Sequence, residues 1–458
     1  MDYISTRGSA PTLNFKQATL TGLAEDGGLY IPQLWPSLSL DEIRKLRNLD
    51  YPTLAVEIIH LFTGDCVDKS TLKTLSDRAY GNFHHDAIAP LKQLDSNLFF
   101  LELFHGPTLA FKDFALQLLG QLFDHFLQQD NAKCTIIGAT SGDTGSAAIE
   151  GVRGLSAVEL FMLHPKGRVS EVQRRQMTTI ADANIHNLAV AGTFDDCQSM
   201  VKAMFNDSDF RKKHSLSAVN SINWARIAAQ VVYYFWAALS LGAPDRSVSF
   251  SVPTGNFGNI LAAYIAKKIG LPIDRLIIGS NRNDILTRFF ETGSMEQTGV
   301  HPTLTPSMDI QISSNFERYL FELFGRDHGE LNRCMTQFSQ KGRFDIDSTT
   351  LKKARLDFTA HRFNDDQINQ EIQRVYRSTG EIIDPHSVIG VAAANIEETS
   401  TSPIIAVGTA HPAKFPDAVK NAIGFEVPLP DYLGDLLEKE EKMVDVENDV
   451  EKVKAIVG

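Results

Sequence analysis

The stretch CTIIGATSGDTGSAAIEGV, residues 134–152, decides the fold class. Its first six residues, 134–139, form a short apolar run of the length and β-branched content of a buried strand. TSGDTG (140–145) then reads as a loop, and SAAIEGV (146–152) as a helix. The same order recurs on either side. NLFFLELF (97–104) reads as a buried strand, HGPTLA (105–110) as a loop and KDFALQLLGQLFDHF (112–126) as an apolar helix. VSFSVP (248–253) feeds TGNFGN and the helix ILAAYIAKKI (260–269), and PIIAVG (403–408) feeds TAHP. Strand–loop–helix alternation on this scale predicts mostly parallel sheets with helices on both faces. Ligands in such folds bind beyond the carboxyl ends of the strands, where these polar loops belong.

Outside this repeating part the pattern changes. GGLYIP (27–32) reads as a turn into a strand, and helices are expected from residue 40 and over 51–62. From about 300 to 390 polar helix dominates with few strand signals. The last segment, LEKEEKMVDVENDVEKVKAIV (437–457), is charged with helical periodicity and is expected to be a solvated terminal helix.

Composition narrows the function classes. At 458 residues the chain exceeds the usual growth of one core, so two or three domains are expected. Hydrophobic residues are 43% and charged residues 22%, ordinary for a globular protein. A formal charge of −12 argues against non-specific nucleic-acid binding, which needs clustered cations. No apolar run approaches the roughly 20 residues of a membrane span. MDYISTRGSAPTLNF has neither the apolar core of a signal peptide nor the look of a transit peptide, so a cytoplasmic protein is expected. The four cysteines lie far apart and suggest neither a disulfide framework nor a zinc site.

Three loops carry chemistry. Lys112 follows Phe111 and opens an apolar helix; a desolvated lysine has a lowered pKa and is suited to Schiff-base formation with an aldehyde. Its stem could equally lie over apolar surface with the head in solvent. Thr140, Ser141, Gly142, Asp143 and Thr144 lie between a strand and a helix start, where free N–H groups and hydroxyls can cradle a carboxylate. A plain helix cap by Ser141 or Asp143 is the alternative. PTGNFGN (253–259) has two glycines three apart before a helix, which aims N–H groups at one anion such as a phosphate monoester. It lacks the dinucleotide spacing.

Taken in this order, the loops resemble a known family. HGPTLAFKD (105–113), GATSGDTGSA (138–147), NSINWARI (220–227), TGNFGN (254–259) and GTAHPAKFP (408–416) are similar to segments of the threonine synthases. DGGLYIP (26–32) and SMDIQISSNFER (307–318) are similar too, most of all to the longer variety of enteric bacteria and fungi. The resemblance runs from about residue 3 to residue 425.

It implies the fold type II (tryptophan synthase β-like) architecture: two open, mostly parallel α/β domains with pyridoxal 5'-phosphate between them, plus an extra N-terminal region. The expected division is 1–95 (N-terminal region), 96–215 (smaller domain with the cofactor lysine), 216–425 (larger domain with the phosphate loop) and 426–458 (charged helical tail). Lys112 would be the catalytic Schiff-base lysine and proton carrier. Gly255, Asn256, Phe257, Gly258 and Asn259 would wrap the cofactor phosphate, and Thr409 would meet the pyridine nitrogen. Asp143 would bind the cofactor at its 3-hydroxyl, where many members of this fold type have Asn, although an ionised carboxylate cannot donate to a phenolate. Thr140, Ser141, Gly142 and Thr144 would hold the substrate α-carboxylate. Arg226 and Asn220 would bind the phosphate of O-phospho-L-homoserine, with Asn223 and Lys202 as substitutes. The resemblance implies a small-molecule substrate, no nucleic acid, no membrane, and a monomer or homodimer. A phospholyase or dehydratase of the same fold, or an inactive pyridoxal-binding relative, would share several of these features.

Overall fold

The computed structural model describes residues 1–217, 219–397 and 402–458. Two sheets organise it. The larger has six strands in the order Phe358–Arg362, Ile273–Ser280, Val248–Pro253, Ile404–Gly408, Leu98–Glu102 and Leu91–Gln93. All neighbouring pairs are parallel except the last. The smaller has five parallel strands in the order Val444–Val446, Ile185–Val190, Val158–Pro165, Cys134–Ala139 and Leu216–Ser217. Each central strand is followed by a helix, as the alternation predicts. The strand Val248–Pro253 is buried at every residue, the burial expected of a parallel strand covered on both faces.

The division differs from the expected one at its strand boundaries and in the tail: Leu91–Gln93, expected in the N-terminal region, joins the larger sheet, and Leu216–Ser217, expected in the larger domain, joins the smaller one. Leu98–Glu102, expected with the smaller domain, pairs in register with Ile404–Gly408 and so belongs to the larger sheet. Its apolar residues fill the core there, and the chain crosses over only afterwards, through the helix Lys112–Gln129. That helix lies close against Asp143–Val152, because a Cβ on Gly120 would collide with the Gly151 carbonyl. The second difference is the tail, which is more than a solvated helix. Val444–Val446 adds a parallel strand beside Leu188–Val190, and the helix Val450–Val457 buries Val453 completely. Only Val446 of this strand is buried, Val444 being 51% exposed, a signal too short to stand out among the surrounding charges.

The polar segment from 300 to 390 does hold helices, but Phe358–Arg362 forms the larger sheet's edge strand. The N-terminal region adds an antiparallel sheet, Leu13–Asn14, Asp2–Ser5 and Tyr30–Pro32, joined to the main core. Trp224, fully buried, donates to the Tyr3 hydroxyl at 3.1 Å, and that hydroxyl donates to the Phe62 carbonyl at 2.7 Å. Arg318, also fully buried, donates to the Tyr30 and Ile222 carbonyls at 2.9 and 2.7 Å. These bonds of Trp224, Tyr3 and Arg318 tie the region to the loops beside the cleft. Among the described residues no helix is long and apolar enough to cross a membrane.

Candidate active site

The loops after Glu102, Ala139, Pro253 and Gly408 converge on one cleft, lined by Lys112, Asp143, Arg226, the 253–259 turn and Thr409. Adjacent backbone contacts tie two of them together. Ala110 bridges Ala410, and the Phe111 N–H donates to the Thr409 carbonyl at 2.9 Å. Asp113 locks the turn before Lys112, accepting from the Thr108 N–H at 2.8 Å and the Thr108 hydroxyl at 2.6 Å. Burial raises the Asp113 carboxyl to about 6.

Lys112 is the first residue of its helix and lines the cleft with its side chain 13% exposed. The head does not run out to bulk water. Its Nζ lies 3.1 Å from Asp143 Oδ2 and 5.3 Å from the Phe111 ring centre. Burial lowers the ammonium pKa, and the Asp143 charge only partly opposes that.

Asp143 begins its helix three residues earlier than the sequence suggests, with Gly142 at φ 144° as the cap. A side chain at Gly142 would run into the Gln173 amide, 2.5 Å from a Cβ. Asp143 therefore sits in the first turn, where the helix dipole favours a negative charge. Its Oδ1 accepts from Lys414 Nζ at 2.7 Å and Gln173 Nε2 at 2.8 Å, and Ser307 Oγ lies 3.4 Å from its Oδ2. Burial alone would raise this carboxyl, but the Lys112 and Lys414 ammonium groups hold it well below the usual carboxylate range. Asp143 is ionised.

The turn after Pro253 is built differently. Phe257 takes a left-handed conformation, φ 62°, a strained choice for an aromatic residue. Its ring is fixed among Phe316, Tyr319 and Phe358, with centroids 5.0, 5.8 and 5.4 Å away. The carbonyls of Gly255 and Asn256 accept from the Ser313 hydroxyl (2.7 Å) and the Asn315 N–H (3.1 Å). Among the described residues no protein acceptor takes the N–H groups of Gly255, Asn256 or Phe257. The N–H groups that open the helix Gly258–Lys268 are free by helix geometry. Asn259 Oδ1 accepts the Tyr233 and Tyr234 hydroxyls at 2.6 and 2.7 Å, which turns its buried, unpartnered Nδ2 away from them. A run of unpaired donors at a helix start fits a phosphate group. Gly255 has the Ser307 carbonyl 3.3 Å from a would-be Cβ, so a side chain there needs its neighbour to give by a few tenths of an ångström.

Arg226 also lines the cleft, 3% exposed. Its Nη1 donates to the Val219 carbonyl at 2.9 Å and its Nε has no partner. Among the described residues no carboxylate lies within ion-pair distance of it. Burial lowers it to about 10, still cationic at neutral pH. Thr409 lines the cleft as well; its N–H donates to Ser387 Oγ at 2.7 Å and its hydroxyl lies 3.4 Å from that oxygen.

Other predicted residues fall elsewhere. Of the 140–144 loop only Asp143 and Thr144 line the cleft. The Thr140 hydroxyl is occupied by the Gly142 and Gly145 N–H groups at 3.0 and 2.9 Å, and Ser141 is exposed. Asn220 is exposed, its Oδ1 accepting from the Ile222 N–H at 3.3 Å. Asn223 caps its helix through Ala225 and donates to the Thr19 carbonyl at 2.8 Å, and Lys202 is exposed. The sequence reading missed Lys414, fully buried against Asp143, and His386, which lines the cleft 5% exposed with its Nδ1 3.4 Å from Asp384 Oδ1. A lysine between Ala413 and Phe415 was the available signal for the first.

A buried lysine, a cradle of free N–H groups and a neutral hydroxyl in one cleft between two parallel sheets define a pyridoxal-phosphate site of the fold type II class. The pyridoxal-phosphate dependent enzyme family model matches residues 84–336. It is flanked by models for the threonine synthase N terminus at 2–80 and the threonine synthase C-terminal region at 387–457. The chain is 53% identical to threonine synthase of Pseudomonas aeruginosa, covering 100% of this chain and 98% of that one. It is 44% identical to that of Saccharomyces cerevisiae, covering 99% and 96%. The crystal structure of pyridoxal-phosphate-bound threonine synthase from Brucella melitensis superposes with a TM-score of 0.98 at 52% identity, covering 100% and 98%. The yeast threonine synthase structure gives 0.95 at 42%, also covering 100% and 98%. A tomato threonine deaminase gives 0.51 at 12% identity, covering 83% and 90%, and shares the fold alone. The chain belongs to the threonine synthase family of pyridoxal-phosphate-dependent enzymes.

Proposed function

We propose that this enzyme converts O-phospho-L-homoserine and water to L-threonine and phosphate, in the cytoplasm, as the last step of threonine biosynthesis. One observation carries the reading: a single cleft is lined by two unlike groups that each suit an anion. The charge-free turn 255–259 suits the cofactor phosphate, and the carboxylate-free Arg226 suits a second, dianionic phosphate. A substrate that itself bears a phosphoryl group needs that second site.

Bound pyridoxal phosphate supplies an electron sink for negative charge at the substrate's Cα. The remaining work falls to the chain. Gly255, Asn256, Phe257, Gly258 and Asn259 grip the cofactor phosphate through N–H groups and the Asn259 amide. Thr409 offers the ring nitrogen a neutral hydroxyl, and Asp143 an ionised oxygen to the ring's hydroxyl edge. Lys112 attaches the cofactor and, once displaced, is the base that moves protons at Cα and Cβ. Thr144 holds the α-carboxylate, while Ser141, exposed and outside the cleft lining, takes no part. Thr140 and Gly142 shape that loop from behind, since their polar atoms bond each other. Arg226 orients the γ-phosphate; Asn220, outside the cleft, takes no part. The partner is this small molecule alone, without nucleic acid or membrane, and the chain works as a monomer or homodimer.

The test is incubation with phosphohomoserine, with and without added pyridoxal phosphate. Threonine and phosphate are expected. Release of 2-oxobutyrate and ammonia instead would make it a lyase of the dehydratase type.

A further inference from the structure

We propose that Lys414 is a positioning residue which, paired with Asp143 as one buried unit, keeps that carboxylate ionised while Lys112 is neutral. This rests on Lys112 carrying the cofactor and not on the identity of the substrate.

Lys112 can attack a carbonyl only as the free amine. In that state it no longer compensates Asp143, which is buried and 3.1 Å away. A buried carboxylate without a counter-ion is costly, so a single lysine–aspartate pair would resist the deprotonation that catalysis requires. Lys414 removes that conflict. Its side chain is fully buried and outside the cleft lining, and its Nζ lies 2.7 Å from Asp143 Oδ1, the oxygen that Lys112 does not use. Its second bond, 2.8 Å to the Thr108 carbonyl, anchors it to the turn that Asp113 locks ahead of Lys112. Gln176 Nε2 donates to the same carbonyl at 3.1 Å. The unit therefore joins the loops of Lys112, Asp143 and Thr409. It also accounts for an aspartate where a neutral amide would otherwise serve: Asp143 and Lys414 together carry no net charge. With Lys414 in place, Asp143 stays an acceptor throughout, and a second cation beside Lys112 favours its free amine.

A mere cross-link and a charge-compensated pair give opposite results in a double-mutant cycle of Asp143→Asn and Lys414→Met. The wild-type protein is first reduced with borohydride and mapped by mass spectrometry. A pyridoxyl group absent from Lys112 would remove the underlying reading, independently of the pair. In the cycle, Asp143→Asn alone strands a buried ammonium and is expected to weaken cofactor affinity about 100-fold. Adding Lys414→Met removes the stranded charge and is expected to restore at least about tenfold of it. If Asp143→Asn alone does not fold, recovery of folded, cofactor-binding protein by the double variant is the same rescue. A double variant no better than Asp143→Asn, in folding or affinity, overturns the proposal.

Lys414→Met alone supplies a second readout, the pH at which cofactor uptake by the apoprotein reaches half its maximum rate. The charged groups facing Lys112 are Asp143, Lys414 and Arg226, with His386 beside Asp143. Losing one of the two cations lets Lys112 hold its proton to higher pH, so the midpoint is expected to rise by about one unit. An unchanged or lowered midpoint overturns the proposal.

Discussion

The two ends of the cleft solve the same problem, holding an anionic cofactor in a place with little water, in opposite ways. At one end Lys112, Asp143 and Lys414 pack three formal charges into a network with distances of 2.7 and 3.1 Å. At the other, residues 253–259 contain no ionisable side chain and offer only N–H groups, an amide and a helix start. The difference follows from what each end must do. A lysine that acquires and sheds a proton needs neighbours that set its charge. A phosphate that only has to stay put is held well by fixed dipoles, which cost no reorganisation.

Four substitutions sharpen or break that contrast. Lys112→Ala removes the amine proposed to carry the cofactor; turnover should fall by at least about a thousandfold and the visible absorbance of the holoenzyme should vanish. Asn259→Asp keeps shape and the Tyr233 and Tyr234 hydrogen bonds but brings a negative charge to the neutral end. Cofactor affinity, followed by absorbance titration, should drop by about 100-fold. A small effect would mean that the phosphate does not lie against this turn. Arg226→Lys keeps the charge and loses the guanidinium fork, so KM for phosphohomoserine should rise about 10- to 30-fold. Cofactor affinity should change less than about twofold if, as proposed, this arginine holds the substrate phosphate. Gly255→Ala pushes a methyl to 3.3 Å from the Ser307 carbonyl and should weaken cofactor binding only several-fold, roughly threefold to tenfold, with kcat kept at saturating cofactor.

The same contrast explains how much was legible beforehand. The neutral end is written locally: an apolar strand, two glycines three apart and a helix start are contiguous at 248–269, and the structure keeps the strand at Val248–Pro253 and opens the helix two residues early, at Gly258. The strand Cys134–Ala139 was equally plain. The charged end is assembled from distant segments. Lys112 could be singled out beside Phe111, but Lys414 lies 302 positions later in a short turn that reads as a surface loop, and nothing local says it is fully buried. His386 is hidden for the same reason, since only the fold brings its loop to the cleft. Asn220 went the other way. It lies six residues before Arg226 in a matching segment, yet Asn223 caps the helix between them and turns Asn220 outward. The sheet membership of Leu98–Glu102 and Val444–Val446 was likewise a matter of long-range pairing, which periodicity alone does not carry.

Two lysines lie within hydrogen-bond reach of Asp143, and the account depends on which of them carries the cofactor. Reducing the holoenzyme with borohydride, digesting it and locating the pyridoxyl group by mass spectrometry separates them. The label is expected on Lys112 alone. A label on Lys414, or on any other lysine, would contradict the account.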